Sequence, residues 1–251
     1  MSGPSMRQYG GRTVSIHLPP GYDDTRARPY PIFLLHDGQN LFPSRPEAIG
    51  GSWHAGAAVD LVTNEGAIPP IVLAGIDHAG VGRLEEFAPP ALGRRSGARA
   101  YADAIVDAVL PGLARDFHVR RDRDGLGIGG SSMGGLVSLW IASTRPDRFS
   151  RVLAMSPSVW WNRRAILRVL KRRPIDPSTR VWVDAGVKEG ARVTRDAEAV
   201  VDLLHAQGAR RATYVEDPEG DHSESSWARR LPDALRFLWE EGGAGLSPPD
   251  T

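Results

Sequence analysis

The sequence contains no cysteine. That excludes disulfides, thiolate nucleophiles and cysteine-bound zinc or iron–sulfur centres. It also lacks any run of about 18 apolar residues, so no transmembrane helix is expected. The opening stretch MSGPSMRQYGGR has neither an apolar segment of signal-peptide length nor a small-residue cleavage site after one. A cytoplasmic location is the expectation. No charge sign is in excess: 31 basic residues face 30 acidic ones, for a net charge of +1. Phosphate backbones need a concentrated basic surface, so a nucleic-acid partner is not expected. Lysine is scarce, being confined to Lys171 and Lys188; this bias toward arginine has no functional reading. Glycine and proline, 28 and 20 of 251 residues, are too few for a low-complexity chain.

What is present is a length suited to one domain over 1–251, with the tail after about 242 frayed. A chain of this size buries roughly 70–75% of its unfolded surface and needs no metal staple. Short apolar runs alternate with helix-like segments. Candidate strands are Thr13–Leu18, Tyr30–Leu35, Ile71–Ile76, Leu126–Ile128, Val152–Met155, Val181–Asp184 and Ala212–Val215. Most are apolar on both parities, as strands covered on both faces of a parallel sheet must be. Between them, Tyr101–Phe117 and Arg192–Ala206 carry apolar residues along one helical face. The expected architecture is α/β, a mostly parallel central sheet with helices on both faces. The Pro- and Gly-rich stretch 42–52 reads as an active-site loop.

The most informative segment is Gly129-Gly130-Ser131-Ser132-Met133-Gly134-Gly135. It follows the strand Leu126–Ile128 and opens the apolar helix Leu136–Ser143. Ser132 has glycine two residues before and two after. A sharp strand-to-helix turn strains the serine backbone, and side chains at the flanking positions would collide with neighbours. The helix N-terminus behind the serine offers N–H groups to a developing oxyanion. A P-loop ending is absent, and the glycine spacing does not match a dinucleotide site.

This turn requires an acid and a histidine on later loops, in that order. Only His205 and His222 follow Ser132. His205 lies inside a predicted helix, whereas His222 lies on the polar loop between the last strand and the helix Glu224–Trp239. The acid should follow the strand Val181–Asp184. Glu189, on the loop Gly186–Gly190, is preferred over Asp184 because a loop carboxylate can reach the imidazole and hold its tautomer. Asp217 and Asp221 are weaker alternatives, being close to the histidine in sequence. For the oxyanion hole, one donor is the Met133 amide. The other comes from the loop His36-Asp37-Gly38-Gln39-Asn40, with the Gln39 amide preferred and Gly38 the alternative. His36 and Asp37 complete no metal-ligand set at normal spacing and read as supports for that loop. No metal or organic cofactor is expected.

Six segments, LLHDGQNLF, GIDHAGVGRLEEFAP, GGSSMGG, MSPSVWWN, VDAGVKEG and GDHSESSW, together resemble the putative-esterase family of α/β-hydrolases. That family includes siderophore (enterochelin), feruloyl and acetylxylan esterases, S-formylglutathione hydrolase and the mycolyltransferases. The likeness runs over roughly residues 12–240. It implies an α/β-hydrolase fold and a serine carboxylic-ester hydrolase working through an acyl-enzyme. Ser132 would be the nucleophile, His222 the base and Glu189 the acid. Arg83 matches the family's loop bordering the site. It could contact acidic or catechol-like oxygens or, more plainly, pair with Glu86. Trp160 and Trp161 could line an aromatic acyl or sugar pocket, or pack beneath the helix Arg163–Leu170. The chain departs from the enterochelin esterases in having no room for their extra N-terminal domain. No signal peptide of the exported mycolyltransferases is visible, and the cysteine near the oxyanion loop of S-formylglutathione hydrolase is missing.

The expected partner is a small-molecule ester: a siderophore, an aromatic-acyl or acetyl-sugar ester, or a small generic one. An acyltransferase with the same triad and a non-catalytic binding protein of the same fold are the alternatives. The run Arg163–Arg173 carries six basic residues and no acid. It reads as a solvated helix face with Ile166, Leu167 and Leu170 turned inward rather than as a membrane or acidic-ligand surface.

Overall fold

The computed structural model describes residues 4–43, 51–90 and 96–240. The expected loop at 42–52 is therefore described only at its two ends, and the tail after 242 lies outside the described residues.

One eight-stranded sheet runs through the molecule. Its strands are β1 (Ser5–Tyr9), β2 (Arg12–His17), β3 (Ile32–His36), β4 (Val72–Ile76), β5 (Leu126–Ser131), β6 (Arg151–Met155), β7 (Arg180–Gly186) and β8 (Ala212–Asp217). Their spatial order is β1-β2-β4-β3-β5-β6-β7-β8. β2 pairs antiparallel with both β1 and β4; every other pairing is parallel. The central strands β3, β4 and β5 are buried at every residue. A strand covered on both faces has no polar side to show, which explains their unbroken apolar character.

The helices are α1 (Ala55–Asn64), α2 (Arg83–Phe87), α3 (Ala98–Ala104), α4 (Leu110–Asp116), α5 (Met133–Thr144), α6 (Trp161–Arg172), α7 (Ala191–Ala206) and α8 (Glu224–Trp239). α1 and α8 cover one face, over a core that includes Phe33, Leu35, Val59, Leu235 and Trp239. Residues of α3 to α7 pack into the larger core on the other face, around Leu34, Ile128, Val137, Ile166 and Leu204.

The seven predicted strands are all present, shifted by a few residues at their ends. β1 is the addition. Its sequence SMRQY is polar, and its three central residues are exposed. An edge strand of this kind carries no apolar period and is held by backbone pairing. α1 and α2 are also unpredicted: AGAAVDLVTN is rich in small residues that show little contrast between faces, and Arg83–Phe87, expected as a loop bordering the site, forms a short helix. The predicted helix Tyr101–Phe117 is interrupted by a π-helical turn at Ile105–Val109. Pro111, in the first turn of α4, lacks the N–H that would continue an α-helical ladder, and the wider turn accommodates it.

In α6, Ile166 and Leu170 are buried and Leu167 packs on the core. Arg164 reaches back to Asp196 of α7 at 2.8 Å. Arg163 and Arg164 take left-handed backbone, at φ 55° and 59°, so the expected solvated helix face is carried by Arg168, Lys171 and Arg172 beyond a kink. Among the described residues, no helix is long and apolar enough to cross a membrane.

Burial assigns the cost of truncation. Leu204 is fully buried on α7, while Leu61 on α1 is half exposed. Leu204→Ala is expected to lower the unfolding free energy by about 2–5 kcal/mol. Leu61→Ala should stay within about 0.5 kcal/mol of wild type. Urea titration of the two variants checks the contrast.

Candidate active site

Parallel strands place the loops after β3, β4, β5, β6, β7 and β8 along one edge of the sheet, and Gln39, Arg83, Ser132, Met133, Trp160, Glu189 and His222 all sit on that edge. The centre is Ser132, between β5 and α5. Its backbone takes φ 55° and ψ −118°, a region that side-chain-bearing residues rarely enter and that costs about 1–3 kcal/mol. Crowding shows why its neighbours are glycines. A Cβ on Gly130 would lie 3.2 Å from the Gly134 carbonyl carbon and from His36, and one on Gly134 would lie 3.3 Å from the Asp37 carboxylate. The Ser132 amide is tied to the Met155 carbonyl and its carbonyl to the Ser158 amide, at 2.9 and 3.0 Å. The strained turn is thereby held from β6 and the loop that follows it.

Ser132 Oγ lies 3.0 Å from His222 Nε2, and His222 Nδ1 lies 2.6 Å from Glu189 Oε2. Ser, His and carboxylate are thus in line. The imidazole is half exposed, but the Glu189 side chain is almost completely shielded, at 1% exposure. Burial works against ionisation of Glu189. Hydrogen bonds from His222, the Ser156 hydroxyl and the Gly186 amide outweigh it and hold the carboxyl below its ordinary range. The ring of Trp227 stands edge-on to His222, with centroids 4.9 Å apart, and limits how far the imidazole can tilt.

Asp184 does not reach His222. It lies within β7, fully buried, where it accepts from the Trp182 indole at 2.8 Å and pairs with Arg230 at 3.1 Å. Burial pushes its pKa up to about 6, against the pull of Arg230, Trp182 and the Ser156 amide. Asp217 pairs with Arg229, and Asp221 accepts from the Ser226 hydroxyl, both at 2.6 Å. His205 binds the Ala212 carbonyl at 2.8 Å, away from the serine. Between Glu189 and Asp184 sits Ser156. Its hydroxyl donates to Glu189 Oε1 at 2.5 Å and accepts from Trp227 Nε1 at 3.0 Å and Arg230 Nη2 at 2.9 Å.

The loop after β3 turns through Asp37, at φ 56°, into a short 3-10 turn over Gly38–Asn40. The Gln39 side chain anchors it to the loop after β4: Nε2 donates to the His78 carbonyl at 3.1 Å, and the His78 amide donates back to Oε1 at 3.2 Å. Neither the Met133 nor the Gln39 amide donates to a backbone carbonyl among the described residues. Arg83 of α2 closes a two-bond fork on Asp37, at 2.6 and 2.7 Å. Glu86 pairs instead with Arg12. The simpler pairing expected for Arg83 therefore goes to Asp37, which lies closer in space than the helix neighbour. His36 beneath the loop meets the Tyr101 hydroxyl at 2.7 Å. Burial, with Arg83 and Arg12 nearby, drives its pKa down to about 3, so it is neutral.

Trp160 and Trp161 divide. Trp161 packs against the core, while Trp160 stands 44% exposed in the turn after Ser158. Three polar residues of the site carried no signal of their own. Ser156 and Ser158 lie inside the segment MSPSVWWN, and Ser158 Oγ is 3.1 Å from Ser132 Oγ. Glu224 lies inside GDHSESSW and accepts from Asn40 at 2.9 Å and from the Trp53 indole. Among the described residues, no cluster of His, Asp and Glu could hold a metal.

A mostly parallel eight-stranded sheet with β2 reversed, and a strained serine turn between β5 and the helix behind it, define an α/β-hydrolase. The chain belongs to the putative-esterase family, whose model matches residues 5–238. It is 26% identical over 195 residues to the uncharacterized protein YbbA of Bacillus subtilis, covering 74% of this chain and 72% of the relative. It is 29% identical over 222 residues to the iron(III) enterobactin esterase of Dickeya dadantii, covering 83% of this chain and 47% of that one. The chain thus spans about half the length of that esterase. Its fold is shared with the enterobactin esterase FES of Shigella flexneri, crystallised in the presence of enterobactin. That match has a TM-score of 0.77 at 23% identity, over 95% of this chain and 59% of that one.

Removing the Ser156 hydroxyl leaves the buried Trp227 indole N–H without its acceptor and Arg230 Nη2 with Asp184 alone. Ser156→Ala is expected to cost about 1–3 kcal/mol at neutral pH. The bond to Glu189 stabilises the carboxylate form, and a lowered carboxyl pKa supports the fold only above the ordinary carboxylate range. The deficit should therefore shrink as pH falls through that range, which urea unfolding at pH 7 and at pH 4 measures.

Proposed function

We propose that this protein is a serine carboxylic-ester hydrolase that works through an acyl-enzyme. One observation carries the reading: Ser132 Oγ, His222 and Glu189 form an unbroken hydrogen-bonded line, at 3.0 and 2.6 Å. In this reading His222 Nε2 takes the proton as Ser132 Oγ attacks the ester carbonyl. Glu189 holds the tautomer with Nδ1–H toward it and stabilises the imidazolium. The Met133 and Gln39 amides take the oxyanion. His222 then returns the proton to the leaving alcohol, and a water, activated by the same imidazole, releases the acid. In this reading Asp184, paired with Arg230 and Trp182, does not take the acid's role.

The substrate we propose is a siderophore-type or other aromatic-acyl ester. The relative from Dickeya dadantii is an iron(III) enterobactin esterase, and the rim of the site suits aromatic groups. Val81 and Leu84 after β4, Trp160 after β6 and Val187 after β7 are all exposed apolar side chains on the catalytic edge. Trp160 is the wall residue in this reading and Trp161 supports it from the core. Arg83 turns Nε and Nη2 to Asp37, so a substrate oxygen would meet its Nη1.

Ser132→Ala should lose on the order of a million-fold in turnover of p-nitrophenyl esters. Glu189→Gln should lose about 10³–10⁴-fold, while Asp184→Asn should keep most of the wild-type turnover per folded molecule. Enterobactin cleavage, followed by chromatography beside the p-nitrophenyl series, tests the substrate class. Equal activity of wild type and Ser132→Ala would overturn the assignment.

A further inference from the structure

Two parts of the site must keep a fixed distance. The loop after β3 presents the Gln39 amide, and the loop before α8 presents His222. They are about 180 residues apart in sequence, as the Asn40–Glu224 separation of 184 residues shows. Glu224, the first residue of α8, stands two residues after His222. Its Oε1 accepts from Asn40 Nδ2 at 2.9 Å, and its Oε2 accepts from the Trp53 indole. Asn40 directly follows Gln39. The Trp53 amide in turn binds the Asn40 carbonyl at 2.9 Å, and the Ala55 amide binds that of Leu41 at 2.9 Å. The Trp53 ring lies 5.9 Å from Trp227, the ring that backs His222. One carboxylate therefore takes a bond from the oxyanion loop and a bond from the segment packed on it, while its own backbone continues the histidine loop.

We propose that Glu224 is a positioning residue that locks the oxyanion loop to the loop carrying His222, setting the distance between the Gln39 amide and the imidazole. The proposal rests on the roles given above to Ser132, His222 and Gln39. Glu224 reaches none of the reacting groups directly. It acts through Asn40 and Trp53, and holding both bonds at once, one on each oxygen, needs the carboxylate form. Protonation would turn one oxygen into a donor and leave one acceptor for two donors. Burial raises the Glu224 pKa to about 6. The Trp53 and Asn40 bonds and Arg83 of α2 oppose that rise; Asp37 on the oxyanion loop adds to it. His222, the proposed base, stands two residues before it on the adjoining loop. Above this pKa the clamp is closed, and it opens as pH falls through it. Glu224→Gln is a fixed copy of the open state, with one acceptor oxygen and a similar shape.

The test is steady-state hydrolysis of a p-nitrophenyl ester by the full chain and by Glu224→Ala, Glu224→Gln, Asn40→Ala and the Asn40→Ala/Glu224→Ala double variant. A misplaced donor is worth up to about 100-fold, so kcat of Glu224→Ala should fall about 10–100-fold with KM within about threefold. Asn40→Ala should fall in the same direction, and the double variant should fall no further than Glu224→Ala, because both remove one link. On the acid side, wild-type kcat should drop more steeply than a single protonation allows, and Glu224→Gln should follow a single one. Wild-type kcat in Glu224→Ala overturns the proposal. So does a loss confined to KM, which marks a substrate contact, or an additive double variant, which marks two unrelated structural losses. If Glu224→Ala does not fold, the acid limb of wild type against Glu224→Gln decides alone. Ser132→Ala run alongside separates the levels. If it is as active as wild type, the catalytic assignment itself fails; if it is inactive while Glu224→Ala is unaffected, only the clamp fails.

Discussion

The geometry of the catalytic edge depends on one strained junction. At the end of β5 the chain must reverse from strand to helix within a single residue, and Ser132 absorbs that reversal at φ 55° and ψ −118°. Such a conformation persists only where the surroundings over-determine it. Here they do: β5 is buried on both faces, α5 is buried along nearly its whole length, and the carbonyl and amide of Ser132 are tied to the next strand and loop. The turn places the Ser132 hydroxyl at the start of α5, beside the Met133 amide that the proposed mechanism uses.

Around that turn, burial sorts the carboxylates by role. Asp184 and Glu189 lie five residues apart and share Ser156 as a neighbour. Asp184 is sealed within the sheet between Trp182 and Arg230, and its pKa rises to about 6 because desolvation dominates. Glu189 has one face toward the imidazole and collects three donors, which keep it ionised. A carboxylate that orients and stabilises an imidazolium must be charged and must be free on one side. Of these two, Glu189 meets both conditions, which is why the proposed mechanism gives it that role. The Ser156 hydroxyl separates the two groups, serving one as donor while taking bonds from Trp227 and Arg230.

The same edge is held from both ends of the chain. Arg83 braces Asp37, the Gln39 side chain grips the His78 backbone, and Glu224 accepts from Asn40 and Trp53. Each link joins a loop after one strand to a loop after another. A parallel sheet makes this possible because it delivers all of those loops to one side. Beyond them, Val81, Leu84, Trp160 and Val187 are exposed apolar side chains on the same edge.

By itself, the sequence determined the local features. Apolar runs located seven of eight strands, the glycines around Ser132 marked the turn, and chain order singled out His222. Those signals are short-range: a strand buried on both faces must be apolar, and a strained turn must be flanked by glycine. Tertiary structure decided what depends on long-range approach. β1 exists because β2 offers it a backbone edge, not because SMRQY is apolar. Arg83 chose Asp37 over Glu86, and Trp161 went to the core while Trp160 stayed at the surface. Ser156, Ser158 and Glu224 gained their positions only when β6, β7 and α8 brought distant loops together. A hydroxyl or carboxylate looks alike at any surface position in sequence. What it can do is set by which donors, charges and buried walls the fold places within about 3 Å of it.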